Sequence, residues 1–265
     1  MIDLPKDAAT SLDRYLRAVD EAVPGLVIGL HICGSIALGD YIPRRSDIDV
    51  VVVVRHAPDA SELQQLAEVH RGVARRIDGP YLTAPQLAGA PDNAGPVPFH
   101  LGDRFEVGMC HEVSPITWAI LAGPAITVRG LTPAELGLRA NPAAVRTFSA
   151  ANLAGYWVAW AGSTRESVVD RPDSDRIDAS VLEWGVLGVA RVAIAARDGR
   201  VLSKRAAGEA SLGSCDAKWQ AILELALAVR AGEHLDVSVR DLRVAAAFVE
   251  AVVESEAAPM PKIGA

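Results

Sequence analysis

Two aspartates, Asp47 and Asp49, stand one residue apart at the head of a run of five valines, residues 50–54. Residues two apart on a strand project from the same face, so the two carboxylates converge at the mouth of a strand. Neighbouring carboxylates repel unless a cation lies between them. Mg²⁺ answers that arrangement, because it takes a few carboxylates and completes its octahedron with phosphate oxygens and water. Upstream, Gly34 and Ser35 offer the complementary chemistry. Glycine lets a backbone come close to a phosphate, free N–H groups at a turn or helix start attract the anion, and the serine hydroxyl adds a donor. Eleven residues separate Ser35 from Asp47, room for a short helix and a return to the neighbouring strand. Each feature alone is common, since acids open many strands and Gly-Ser pairs occur in every kind of fold. Taken together, with a strand pattern before Gly34 and a buried valine strand after Asp49, they read as a site for Mg²⁺ and a nucleoside triphosphate.

The elements that must hold these residues follow from periodicity. Leu12, Leu16, Val19 and Val23 recur at helical spacing, and Pro24-Gly25 breaks that helix. Residues 27–33, VIGLHIC, read as a strand, and Gly34-Ser35 opens a turn and a short helix. A valine run apolar on both faces is a central, doubly covered strand. A helix is expected over residues 61–76, with Ser61 and Gln64 spaced as a capping box. A short strand follows around Tyr81. Residues 84–98 hold four prolines and little periodicity, which predicts a long loop. Residues 105–109 and 125–128 read as strands, and Ser114-Pro115 starts a helix through Leu121. Beyond Gly130 only helices are expected: one from Asn141-Pro142 to about Trp160, a polar loop over 162–178, then helices over 179–197, 203–212, 218–231 and 241–254. Strand-and-helix followed by helix alone predicts two domains, an α/β domain over residues 1–140 and an all-α bundle over 141–265.

The totals narrow the class of partner. The chain has 265 residues and a formal net charge of −7, which repels a phosphate backbone and argues against nucleic acid. A cationic small substrate suits that balance better. No charge-free run of 18 apolar residues marks a membrane span. The N-terminal stretch MIDLPKDAATSLDRYL has acids where a signal peptide carries bases and an apolar run, so a cytoplasmic protein is expected. Cys33, Cys110 and Cys215 are odd in number and widely spaced, and read as small buried hydrophobes in a reducing compartment. Nothing in the sequence demands an oligomer, and a monomer is the working expectation.

Gly-Ser, about ten residues, then Asp-x-Asp resembles the polymerase-beta-like nucleotidyltransferase superfamily. More narrowly, GSIALGDYIPRRSDIDVVVVV is similar to the corresponding stretch of the aminoglycoside 3''/9-adenylyltransferases, which modify streptomycin and spectinomycin. A second segment, VLGVARVAIAARDGRVLSKRAAGEASL, resembles the helical-domain segment of that family. The resemblance implies a polymerase-beta-like nucleotidyltransferase domain with a mixed sheet, followed by a helical bundle that completes the site. It implies that Asp47 and Asp49 hold Mg²⁺, that Gly34 and Ser35 bind the phosphates of ATP, and that Arg191 and Lys204 reach its triphosphate, where cations stabilise the transferring group.

The sequence departs from the family in two places. The family carries a Glu on a later strand as the base that deprotonates the acceptor. Here the stretch is RRIDGPYLTAPQL, and Asp78 is the nearest acid. It serves as that base only if the strand register brings it to the site; otherwise it is a plain Asp-Gly turn residue. Glu106, in RFEVGMC, is a weaker alternative. The family's substrate-contacting Trp is also absent, Trp118 being expected in the core. Asp175 and Asp178 precede the Arg191 helix, where the family places acids that meet aminoglycoside amines, and Asp178 is the expected substrate contact. His31 reads as a core histidine, and His100, His111 and Glu112 are assigned no role. The expected function is Mg²⁺-dependent transfer of AMP from ATP to a hydroxyl of a small molecule, an aminoglycoside such as spectinomycin or streptomycin. The alternatives are another small-molecule or protein acceptor, and a nucleotide-binding regulatory or antitoxin-like protein without turnover. An RNA nucleotidyltransferase is disfavoured by the acidic charge.

Overall fold

The computed structural model describes residues 4–72 and 77–257. The chain divides into two compact units, Met1–Asn141 and Pro142–Ala265. The first contains α1 (Lys6–Ala22), β1 (Val27–Ile32), α2 (Gly34–Ala37), β2 (Ile48–Val54), α3 (Ala60–Gly72), β3 (Ile77–Thr83), α4 (Ala84–Ala88), β4 (Val97–Leu101), β5 (Arg104–Gly108), α5 (Pro115–Leu121) and β6 (Ile126–Arg129). The six strands form one sheet in the order β5-β4-β3-β2-β1-β6. Only β2 and β3 run parallel, and the other neighbours are antiparallel, so the sheet is mixed as expected.

Alternation along β2 divides the chemistry from the core. Ile48, Val50, Val52 and Val54 join Ala8, Leu12, Tyr15 and Val19 of α1, Leu66 of α3, and Ile77 and Tyr81 of β3 in one apolar cluster. Asp49 lies between two of those residues in sequence, so its side chain leaves the opposite face of the strand. The valines are buried from 50 to 54 without a break, the expected mark of a strand covered on both sides.

Two expectations for this unit need correction. Helix α3 is capped by Asp59, not Ser61: Asp59 Oδ1 accepts from the N–H groups of Ser61 and Glu62, and Glu62 accepts from Asp59 N in return. The end expected for that helix, residues 73–76, lies outside the described residues. The proline-rich stretch 84–98 is not a long loop. Thr83 and Gln86 form a capping box, Pro85 sits in the first turn of α4, and a 3₁₀ turn over Pro91–Asn93 leads into β4.

The second unit contains α6 (Pro142–Asn152), a π-helical turn (Leu153–Trp157), α7 (Val158–Ser167), α8 (Ala179–Asp198), α9 (Lys204–Leu212), α10 (Ala217–Ala231) and α11 (Val239–Ala257). The polar loop expected from residue 162 starts later. Residues 162–167 continue α7, with their Ser, Arg and Glu side chains mostly on the solvent side. Helix α8 is the central one: Leu182, Val186, Leu187 and Val189 are fully buried, and the helix packs against α6, α9, α10 and α11. It is also long and apolar enough to cross a bilayer by composition, but most of it is buried inside this unit, as befits a core helix.

Candidate active site

The first half of the site is assembled where β1 hands over to α2. Cys33 N donates to the carbonyl of Asp49 at 2.8 Å, tying the end of β1 to the head of β2. The next residue, Gly34, has φ +56°, and a Cβ built there would lie 1.7 Å from Asp49 Oδ2. Only glycine lets the backbone pass that close to the carboxylate and adopt that conformation. Ser35 N–H then donates to the Asp49 side chain. Ser35 Oγ is buried without a hydrogen-bond partner. A buried hydroxyl left unpaired costs free energy unless something binds to it. The return loop is closed on itself: Ser46 N donates to Ile42 O at 2.9 Å, Ile42 N donates to Ser46 Oγ at 3.0 Å, and Arg44 sits in the left-handed region with φ 68°. Arg44 is the one non-glycine residue with positive φ among those described, and such strain often marks a functional loop.

Asp49 carries the electrostatic record of this crowding. Its carboxyl is pushed up to about 7, first by burial, then by the charges of Glu112, Asp47 and Asp78, against the lowering effect of the Ser35 N–H. Carboxylates held this close favour a bound cation, which would reverse the shift. Among the described residues no group of three or more His, Cys, Asp or Glu side chains is arranged to hold a metal alone. Two carboxylates beside an open hydroxyl and N–H groups fit Mg²⁺, which shares its shell with phosphate and water, better than a metal that needs a full protein cage.

Asp78 reaches this neighbourhood through the sheet. Strand β3 pairs parallel with β2, and Asp78 stands in register with Asp49. The pairing is tight because Gly79 has φ +149°, and a Cβ there would lie 1.8 Å from Val50 O. Asp78 is therefore a strand residue, buried, and not the turn residue that Asp-Gly suggests. Its Oδ1 accepts from His100 Nδ1 at 3.1 Å and from Gly102 N at 3.2 Å. Glu106 lies on the exposed edge strand β5, separated from β2 by β4 and β3, which removes the spatial argument for it as an alternative base.

Glu112, assigned no role from its sequence context, raises Asp49 more than Asp47 does. It comes from the loop before α5 and pairs with His111 at 3.3 Å, which holds His111 above its usual range. No spacing signal links it to Asp49, because it arrives from a distant loop. His31 is buried, its Nδ1 3.1 Å from Thr127 Oγ1, and burial pushes it down to about 4, as befits a neutral core histidine. Trp118 is in the core, donating to Gly89 O.

In the second unit the buried Glu183 accepts from Lys204 Nζ at 3.4 Å and from Arg230 Nη1 at 3.1 Å. Lys204 Nζ also lies 4.9 Å from the centre of the Trp184 ring. Burial lowers the Lys204 pKa; Glu183 opposes this, and the charges of Arg191 and Arg230 add to it. Arg191 and Arg230 are thus both within electrostatic reach of Lys204, and Lys204 and Arg230 share one carboxylate. A cluster of cations of this kind suits a polyanion. Arg230 escaped the sequence reading because an Arg in the last turn of an amphipathic helix looks like an ordinary dipole partner. Asp178 is exposed and caps α8, its Oδ1 accepting from Ser180 N at 2.8 Å. The structure thus gives it a helix-capping role.

A Gly-Ser turn at the end of one strand, locked against Asp-x-Asp at the head of the next in a mixed sheet, defines a nucleotidyltransferase. Residues 12–82 match the model of the nucleotidyltransferase domain. Residues 169–255 match the aminoglycoside adenylyltransferase C-terminal domain, so the two matched stretches together support that family of enzymes. Among solved structures it is similar to the spectinomycin adenyltransferase AAD(9) from Enterococcus faecialis, determined with ATP and spectinomycin. The TM-score is 0.66 at 14% identity, covering 93% of this chain and 99% of that one. No curated protein sequence matches the chain.

Proposed function

We propose that the chain transfers AMP from ATP to a hydroxyl of a small cationic aminoglycoside, with spectinomycin and streptomycin as the first candidates. The observation that carries the reading is the gathering of Asp47, Asp49 and Asp78 beside the N–H and the unpaired Oγ of Ser35. Asp47 and Asp49 would hold Mg²⁺, which when bound offsets the triphosphate charge and orients the α-phosphate. Gly34 and Ser35 are proposed for the phosphates, through the unpaired Ser35 hydroxyl and the close backbone approach that Gly34 allows, and Arg191 and Lys204 are the cations proposed for the triphosphate.

Asp78 is the proposed base. It takes the proton of the acceptor hydroxyl as that oxygen bonds to the α-phosphorus. The bond from the α-phosphorus to the bridging oxygen breaks, and pyrophosphate leaves with the electron pair. Asp178 remains a proposed contact for an acceptor amine, at the start of the helix that carries Arg191. The acidic charge of the chain favours a cationic acceptor. The same reading takes the protein as a cytoplasmic monomer that engages neither nucleic acid nor membrane. Likeness to the C-terminal domain of aminoglycoside adenylyltransferases supports the acceptor class.

Pyrophosphate release from ATP and Mg²⁺ against a panel of aminoglycosides tests the proposal. Release that depends on spectinomycin or streptomycin supports it. Tight ATP binding with no release for any acceptor sinks it in favour of a non-catalytic nucleotide-binding protein.

A further inference from the structure

His100 is buried in β4, opposite Gly79 of β3. Its Nδ1 lies 3.1 Å from two oxygens, Ile77 O and Asp78 Oδ1. Neither a carbonyl nor a carboxylate oxygen can donate, so Nδ1 must carry the proton, and the tautomer is fixed. The ring plane is fixed as well. It stacks on His70 with centroids 4.0 Å apart and planes 9° from parallel. His70 in turn is held by the hydroxyl of Tyr81 at 2.6 Å, and Tyr81 shares a 2.5 Å hydrogen bond with Tyr15. Burial, together with the neighbouring His100, pushes His70 down to about 3, so the ring stacked on His100 is neutral. A second donor comes from the β4–β5 hairpin, where Gly102 turns with φ +65° and aims its N–H at the same Oδ1.

Both partners of Asp78 therefore act on one oxygen and leave Oδ2 to do the chemistry. Aspartate is one methylene shorter than the Glu that the sequence lacks here, so its reach depends on a fixed rotamer. We propose that His100 is a positioning residue for the transfer reaction: its Nδ1–H, held by the His70–Tyr81–Tyr15 stack, pins Asp78 Oδ1 so that Oδ2 is presented to the acceptor hydroxyl. This rests on the reading of Asp78 as the base. The principle is that of an outer hydrogen-bond partner that orients a reacting group, whose loss typically costs about 10- to 100-fold.

Two substitutions at His100 separate positioning from mere packing. His100→Phe keeps the ring and its stack on His70 but removes the donor. His100→Asn gives up the stack but keeps a donor near the Nδ1 position. Turnover number and both Michaelis constants are measured with ATP and spectinomycin, alongside Asp78→Asn and thermal unfolding of each variant. Positioning predicts that His100→Phe lowers the turnover number about 10- to 100-fold with the Michaelis constant for ATP within about twofold of the parent, while His100→Asn recovers most of the loss despite lower stability. A packing role predicts the reverse order, and that order overturns the proposal. If Asp78→Asn lowers turnover and His100→Phe does not, His100 is dismissed and Asp78 stands. If Asp78→Asn keeps full turnover, the assignment of the base falls and takes this inference with it.

Discussion

A Cβ placed on Gly34 would lie 1.7 Å from Oδ2 of Asp49, far inside van der Waals contact. The turn proposed for phosphate and the strand proposed for the metal are thus interlocked at one point, and neither can shift without the other.

Gly34→Ala should therefore abolish transfer with little global damage. The left-handed conformation at residue 34 costs an L-residue roughly 1–2 kcal/mol, and the clash must displace Asp49 or the turn. The expected result is a folded protein by circular dichroism with turnover down at least about 100-fold, since about 1 Å of misplacement costs that much. A variant near parental activity would show that the close approach is not part of the site.

Asp47→Asn and Asp49→Asn should each remove nearly all transfer activity at saturating Mg²⁺. In the metal-free protein, however, Asp49→Asn should not lower the melting temperature and should raise it near neutral pH, because repulsion from Glu112, Asp47 and Asp78 is relieved. Near-normal turnover in either variant would refute the metal assignment, and a large loss of stability in Asp49→Asn would contradict the repulsion.

The sequence made this half of the site legible because all of it lies between Gly34 and Asp49, where spacing and face are local properties. Asp78 was legible as a residue but not as a neighbour. Its place depends on a parallel register with β2, and on Gly79 accepting a contact that no side chain tolerates. Glu112 and His100 gave no signal because each arrives from a separate strand or loop. The misplaced cap of α3 has a simple cause: Asp59 and Ser61 both suit an N-cap, and each has a Glu or Gln three residues on. Residues 84–98 misled because prolines were counted as loop formers, although Pro85 occupies a helix start where its missing N–H costs nothing.

Lys204→Ala and Arg191→Ala should raise the Michaelis constant for ATP more than that for the acceptor. Glu183 keeps Arg230 as a partner when Lys204 is removed, so the helical unit should stay folded. Losing one charge-assisted contact is worth about 1.5–3 kcal/mol, or roughly 10- to 150-fold in kcat/KM for ATP. An increase confined to the acceptor constant would move the residue to the other substrate.

Two buried histidines should make the protein labile to acid. His70 is pushed down to about 3 and His31 to about 4, in both cases chiefly by burial. In the unfolded chain each titrates near 6.5. Between those values the unfolded state binds more protons than the folded one, so the stability they allow is fully present above about pH 6.5 and is lost as pH falls toward their folded values. Each can contribute a slope of up to about 1.4 kcal/mol per pH unit. Asp49 works in the opposite sense, its raised carboxyl gaining a proton in the folded state first, so the slope is cleanest in Asp49→Asn. Urea unfolding of that variant from pH 7 to pH 4.5 should show free energy falling with acid. Adding His70→Gln should reduce the slope by about one proton whatever it does to the absolute stability. An unchanged slope would mean that His70 is already protonated in the folded protein. That would put a cation against His100 and break the neutral stack that holds the Asp78 donor in place.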